Sequence, residues 1–408
     1  MKTSIKAIVI AVSLATTMGA VQAADEVNQA TFYSGYDVKD IPAESFQSWP
    51  YYTHASMHIK DYLRYGVYEM PASSNPALVT VSHSLDLSTE FKDGQSFRDN
   101  LIETNTKGFV VMKNNEILAE HYDNGFKKGM VNNLQSASKT YVGVLLGKAI
   151  DAGLVDLDVK AEQYLPELKG SIIGGATIRS IAIMDSGIEA LSNYHTPGSN
   201  GYEWEKEIGL QNAGEPMGHL KAIKAAKASE FKQGENWDYS DQNTDTLALI
   251  LAEVHGKPFQ VLLGDLHEEI GGHDIIEIAK TSDGTTSPSF GINTSAVDYA
   301  LFAQYIAQGK AGASFYKELA DTSNDVLNPT DAGTLLSAGG AMTYDMQSYT
   351  IADKNIIVSF GSFGELSFSD MTSGISVINL QDWYTNIEPQ KLMDTIERSV
   401  EIIEQLRK

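Results

Sequence analysis

Leu134-Gln135-Ser136-Ala137-Ser138-Lys139-Thr140-Tyr141-Val142-Gly143-Val144-Leu145-Leu146-Gly147-Lys148-Ala149-Ile150-Asp151-Ala152-Gly153-Leu154-Val155-Asp156-Leu157-Asp158 carries both a structural and a chemical pattern. From Ser136 to Ile150 the apolar residues keep one face of a helix. Ser136 and Lys139, three apart, share that face, so the lysine amine can reach the serine hydroxyl. At a helix N-terminus the serine's own N–H is also free to meet an oxyanion. A buried lysine there can serve as a base for the hydroxyl, which an exposed one cannot. Ser229/Lys232 and Ser314/Lys317 repeat the spacing, but in a lysine-rich polar run and in a surface-like amphipathic stretch. Spacing alone leaves two readings of Ser136 open, a nucleophile or a helix cap with a surface lysine.

Upstream, the apolar runs Gly108–Met112 and Ile117–Tyr122 flank the polar turn Lys113-Asn114-Asn115-Glu116, which predicts a hairpin. Downstream, helical patterns recur at 177–186, 242–255 and 295–308, the last after a Gly/Ser/Thr-rich stretch. The tail returns to strands at Met342–Ile351, Ile356–Phe363, Glu365–Phe368 and Ile375–Leu380. It ends in an amphipathic helix from Pro389, with Leu392, Ile396, Val400, Ile403 and Leu406 on one stripe. Strands at both ends with helices between predict one sheet shared by the two ends. The expected division is a leader, 1–23, an irregular lead-in, 24–104, and one catalytic domain, 105–408. Within that domain, sheet is expected from 105–135 and 335–408 and a helical subdomain from about 140–330.

These residues in this order resemble the serine β-lactamase/penicillin-binding superfamily, and within it the esterase and 6-aminohexanoate-dimer hydrolase branch. The likeness continues through Tyr164–Leu168, Ala176–Gly187, Tyr239–Val254 and Gly291–Phe302, covering roughly residues 105 to 385. It implies an α+β fold of the β-lactamase/transpeptidase type, an antiparallel sheet flanked by helices plus an all-helical subdomain, with the site between them. It also implies a catalytic set of Ser136 as nucleophile and Lys139 and Tyr239 as acid and base, with Lys139's charge lowering the phenol's pKa. The second motif, usually Tyr-x-Asn, falls at Tyr239-Ser240-Asp241, so Asp241 replaces the asparagine; strict matches at Tyr122 and Tyr384 stand in other contexts. The third, usually Lys-Thr-Gly, falls at Ser359-Phe360-Gly361, followed by Ser362-Phe363. The N–H groups of Ser136 and Ser362 are then the expected oxyanion donors, and Gly361, Phe363 and Asp241 expected substrate contacts. Tyr194 matches a tyrosine that the dimer hydrolases use toward the leaving amide. With Ser359 in place of the lysine, no ion pair to a substrate carboxylate can form there. β-Lactam hydrolysis, D-alanyl peptide cleavage and a non-catalytic periplasmic binding role are the alternatives to an esterase or amidase.

The 408 residues hold 30 basic and 53 acidic side chains, a net charge of −23, and no cysteine. That charge argues against nucleic-acid or anionic-membrane partners. The absence of cysteine excludes disulfides, a thiolate nucleophile and cysteine-ligated metals. Lys2 and Lys6, the apolar run Ala7–Met18 and Val21-Gln22-Ala23 read as a secretory leader cleaved after Ala23, giving an exported and periplasmic protein. His54/His58 and His267-Glu268/His273 lack a metal-binding pattern, so no metal or cofactor is expected. The expected partner is a small ester or amide, neutral or cationic.

Overall fold

The computed structural model describes residues 41, 45–194, 196–321 and 342–407, so the expected leader lies outside the described residues. In chain order the strands are β1 (Val67–Met70), β2 (Thr80–Val81), β3 (Thr106–Lys113), β4 (Glu116–Tyr122), β5 (Val131–Asn133), β6 (Ile276–Ala279), β7 (Ile292–Ser295), β8 (Met342–Asp345), β9 (Ser348–Ile351), β10 (Ile356–Gly361), β11 (Glu365–Asp370) and β12 (Ile375–Gln381). The longer helices are α1 (Tyr51–Met57), α2 (Phe97–Glu103), α3 (Lys139–Asp151), α4 (Asn200–Ile208), α5 (Asp241–His255), α6 (Phe259–Ile270), α7 (Ala296–Ala307), α8 (Ala313–Ala320) and α9 (Pro389–Leu406).

An eight-stranded sheet runs β2-β4-β3-β12-β11-β10-β9-β8, and a four-stranded sheet runs β1-β6-β7-β5. The expected sharing of one sheet by the chain's two ends is the antiparallel β3–β12 pair, in which Val111 faces Val377 and Val110 faces Ile378. Strand parity then sorts the core. Val110, Met112, Ile378 and Leu380 point to the side holding α7, whereas Phe109, Val111, Ile375 and Val377 join Leu392 and Ile396 of α9. Both faces are covered, which is why β3 reads as an unbroken apolar run over Gly108–Met112 instead of an alternating one. α7 starts cleanly because the Ser295 side chain accepts from Asp298 N, and α9 because Pro389 occupies its first turn.

Several expectations change in detail. Met342–Ile351 is a hairpin, not one strand: Met346 and Gln347 take φ of 45° and 59°, the double left-handed pair of a tight two-residue turn. The expected helical stretch 140–330 also contributes β6, β7 and α7 to the sheet layers. The lead-in, expected to be irregular, holds regular elements. β1 pairs with β6, β2 pairs in parallel with β4, and α1 packs against β5. Its short elements carry too few residues for a period to emerge.

α3 is buried on nearly every side. Gly143 permits this, because a Cβ there would lie 1.8 Å from the Met346 carbonyl oxygen at the β8–β9 turn. Gly143→Ala should therefore destabilise the protein by about 3 kcal/mol in urea unfolding, despite alanine's better helix propensity of about 1 kcal/mol. A neutral or stabilising result would show that the hairpin can move away.

Candidate active site

Ser136 sits in a 3-10 turn, Gln135–Ser138, that feeds directly into α3, the helix predicted from the sequence. The turn is entered from β5, and Leu134 N bonds Ile292 O of β7 at 2.9 Å. Lys139, one residue into the helix, is 1% exposed and its ammonium meets three acceptors. Its Nζ lies 3.0 Å from Ser136 Oγ, 2.7 Å from Asp241 Oδ1 and 2.6 Å from Ser289 O. The other two Ser-x-x-Lys matches differ. Ser229 bonds Asp238 and Ser314 bonds Asp151, while Lys317 is exposed and pairs with Glu318.

Tyr239 precedes α5 and closes over the same lysine, with Lys139 Nζ 4.8 Å from its ring centre. Burial and the Asp241 charge push the phenol well above its ordinary value, and a hydrogen bond with Ser136 only partly offsets them. The lowering expected from Lys139 is thus corrected: the net shift is upward, set first by burial, with Asp241 at the asparagine's place adding to it. Tyr239 remains a phenol that can donate. Asp241 is itself raised by burial, against the pull of Lys139, with Asp245 adding to the rise.

Ser362 follows β10 in a three-residue link, Ser362–Gly364, to β11. The glycine before it has a structural reason: a Cβ on Gly361 would sit 2.3 Å from Leu134 O, so only glycine lets this strand edge press against the nucleophile turn. Gln135 and Phe363, non-glycine residues beside the two serines, take φ of 48° and 66°. Such backbone costs on the order of 1 kcal/mol each and is kept only where neighbours fix it. Phe363 is fixed by its N–H to Asn386 O at 2.8 Å and by stacking on Tyr52 with centroids 3.9 Å apart.

A cleft of about 620 Å³ opens over these groups, lined by Ser136, Tyr239, Asp241, Ser362, Phe363 and Tyr194 among others. Six of the expected site residues therefore share one cavity, while Lys139 lies behind Ser136 and Asp241 and Gly361 backs the nucleophile turn. Ser359 does not face it. That side chain is buried, and Phe360 lines the cleft instead. Sequence reasoning missed the cleft's rim. Gln47 and Ser48 come from the lead-in, Glu205 from α4, and Tyr384 with Asn386 from the strict Tyr-x-Asn match set aside for its context. Only the aromatic content of 45–52 hinted at the first group. No linear signal marked Glu205.

The beta-lactamase family profile matches residues 98–339. A 6-aminohexanoate-dimer hydrolase of Paenarthrobacter ureafaciens is 31% identical over 158 residues, which is 38% of this chain and 40% of that relative's length. A solved structure from Bacillus anthracis, provisionally assigned as a 6-aminohexanoate-dimer hydrolase, superposes with a TM-score of 0.75 at 18% identity, over 91% of this chain and 99% of that one. A D-stereospecific amidohydrolase from Streptomyces sp. gives 0.52 at 15% identity, over 72% and 94%.

Glu205 is 4% exposed on the cleft wall and accepts from Gln211 Nε2 at 2.9 Å and Gln47 Nε2 at 3.4 Å. Burial raises its carboxyl to about 7, against those two amides, with Asp241 adding to the rise. The folded state then holds a proton that the unfolded chain releases at lower pH, so stability falls as pH rises from the ordinary carboxylate range through about 7. Glu205→Gln should leave the melting temperature nearly unchanged at pH 4.5. At pH 8 it should stabilise by about 3 kcal/mol at most, read from melts across that range. Equal shifts at both pH values would remove the titration from Glu205.

Proposed function

We propose the following chemistry for a chain that belongs to the beta-lactamase family of serine hydrolases: Ser136 opens an ester or amide bond through an acyl-enzyme. The observation that carries this is the Lys139 ammonium, placed 3.0 Å from Ser136 Oγ and 2.7 Å from Asp241 Oδ1 at the floor of the cleft. Asp241, raised by burial, takes a proton from Lys139. The freed amine then accepts the Ser136 proton as Oγ attacks the carbonyl carbon. The Ser136 and Ser362 N–H groups meet the oxyanion. Tyr239 gives its phenol proton to the leaving nitrogen or oxygen and is reprotonated through Lys139. Water then attacks the acyl carbonyl by the same relay in reverse, releasing the acid and restoring Ser136.

Charge shapes the substrate class. The cleft lining carries Glu205 and Asp241 and, among the described residues, neither lysine nor arginine. Aromatic and aliphatic walls from Trp237, Tyr349, Phe360 and Ile208 suit an apolar chain. A neutral or cationic small ester or amide fits this lining, and the relationship to 6-aminohexanoate-dimer hydrolase favours the amide. The basic, apolar and small-residue order of 1–23 supports export to the periplasm with cleavage after Ala23.

Ser136→Ala should lose both fluorophosphonate labelling and p-nitrophenyl butyrate turnover, while Tyr239→Phe should lower kcat by about 100-fold or more. Persistent labelling of Ser136→Ala would reassign the nucleophile. Esters with a terminal carboxylate on the acyl chain should react with lower kcat/KM than their amides or amines, and the opposite order would sink the proposed substrate class.

A further inference from the structure

One turn along α5 from Asp241 lies a buried pair that the acyl-transfer steps do not use. His219, the first residue of a short helix ending at Lys224, and Asp245 of α5 are both fully buried, and neither lines the cleft. His219 Nε2 lies 2.9 Å from Asp245 Oδ2, so that nitrogen carries a proton toward the carboxylate. The other ring nitrogen, Nδ1, meets Thr285 Oγ1 at 3.0 Å. The ring also packs against Trp204 of α4, with centroids 5.2 Å apart.

A core histidine bonded to a carboxylate is often no more than a satisfied buried pair. Here the other donors to Asp245 come from the loop that touches the base. Ser289 N donates to Oδ1 at 3.0 Å and Ser287 Oγ to Oδ2 at 2.7 Å, and the two serine hydroxyls lie 2.9 Å apart. Asp245 thus fixes the peptide whose carbonyl, Ser289 O, takes an N–H of Lys139 at 2.6 Å. The next residue is pinned as well, by Asn133 Nδ2 donating to Phe290 O at 3.0 Å. A carbonyl oxygen accepts and never donates. Held in place, Ser289 O keeps one N–H of the lysine whether that group is an ammonium or an amine. Once the amine has lost a proton, its lone pair is left two directions, toward Asp241 or toward Ser136 Oγ, and the proton transfer uses both. If the loop moved, the lone pair could turn in the third direction, away from the nucleophile, and a buried N–H would lose its acceptor.

Resting on the Ser136–Lys139 reading above, we propose that the His219–Asp245 pair braces the base: it holds the Ser289 carbonyl against Lys139, so that the amine's lone pair faces Ser136 or Asp241. Both are positioning residues for acylation, since neither touches the nucleophile or the cleft. His219 reaches the loop twice, at Thr285 directly and at Ser287 and Ser289 through Asp245. Removing it would leave Asp245 a buried charge short of one donor, and the serines beside it would shift to fill the gap. The displacement would pass to Ser289 O, the one acceptor of Lys139 that takes no part in moving the proton.

The test follows kcat and KM on p-nitrophenyl butyrate together with fluorophosphonate labelling, whose final amplitude counts folded sites and whose rate reports how readily Ser136 reacts. His219→Phe keeps a ring against Trp204 and removes the donor to Asp245. It should lower kcat and the labelling rate about tenfold each, with KM within about twofold and full amplitude. His219→Gln, whose amide can donate to the same oxygen, should return both rates to within about threefold of wild type. A loss of amplitude alone, with each labelled site reacting at the wild-type rate, would reduce the pair to a structural one and overturn the brace. So would a folded His219→Gln protein no faster than His219→Phe. Should His219→Phe not fold, Ser287→Ala decides, because it removes one donor to Asp245 and leaves His219 in place. Its labelling rate should fall about threefold with KM unchanged, and a wild-type rate there would overturn the proposal. Labelling that persists in Ser136→Ala would instead remove the reading on which the brace rests.

Discussion

The buried ammonium of Lys139 is the constraint around which the rest is organised. A fully desolvated cation needs its donors filled, and removing one partner from such a site costs about 3–5 kcal/mol. Its three acceptors come from three separate parts of the chain: Ser136 from the turn before α3, Asp241 from the start of α5, and Ser289 O from the loop before β7. Satisfying one side chain thus docks two helices and the small sheet onto each other. The loop carrying Ser289 is itself held, since Ser289 N and Ser287 Oγ both donate to Asp245, one turn along α5 from Asp241. The geometry that sets Lys139 against Ser136 is also the geometry that closes the interior.

How much of this was legible follows from the range of each interaction. Ser136 and Lys139 lie within one helical turn, so their meeting could be read from spacing, and the packing of both faces of β3 from its unbroken apolar run. The β3–β12 pair spans most of the chain, yet the two apolar segments announced themselves separately and only their register was hidden. The Met346-Gln347 turn was missed because a tight turn between apolar strands lacked the usual glycine. Glu205, Gln47 and Tyr384 reach the cleft only through tertiary contacts between short segments, which no periodicity records.

The substitution of Asp241 for asparagine was visible as a letter, but its consequence was electrostatic and required distances. An asparagine beside Lys139 would leave the ammonium's charge to act on Tyr239. With a carboxyl 2.7 Å from that ammonium, burial comes first in raising the phenol and the Asp241 charge adds to it. The motif pointed to Lys139 as the group that lowers the phenol, whereas the net shift of Tyr239 is upward.

The chain's acidic excess has the same logic at larger scale. Surface carboxylates are solvated and cost little, but Glu205 and Asp241 are withdrawn from water on the wall of one cleft, and burial pushes both toward the neutral form. A neutral carboxyl can donate as well as accept, which a carboxylate cannot. Glu205 on the cleft wall therefore answers to pH where an amide at the same position would not, and Asp241 is held between the burial that raises it and the Lys139 ammonium that pulls it down. An anion entering beside these two acids would bring a further negative charge to a lining in which, among the described residues, no lysine or arginine meets it.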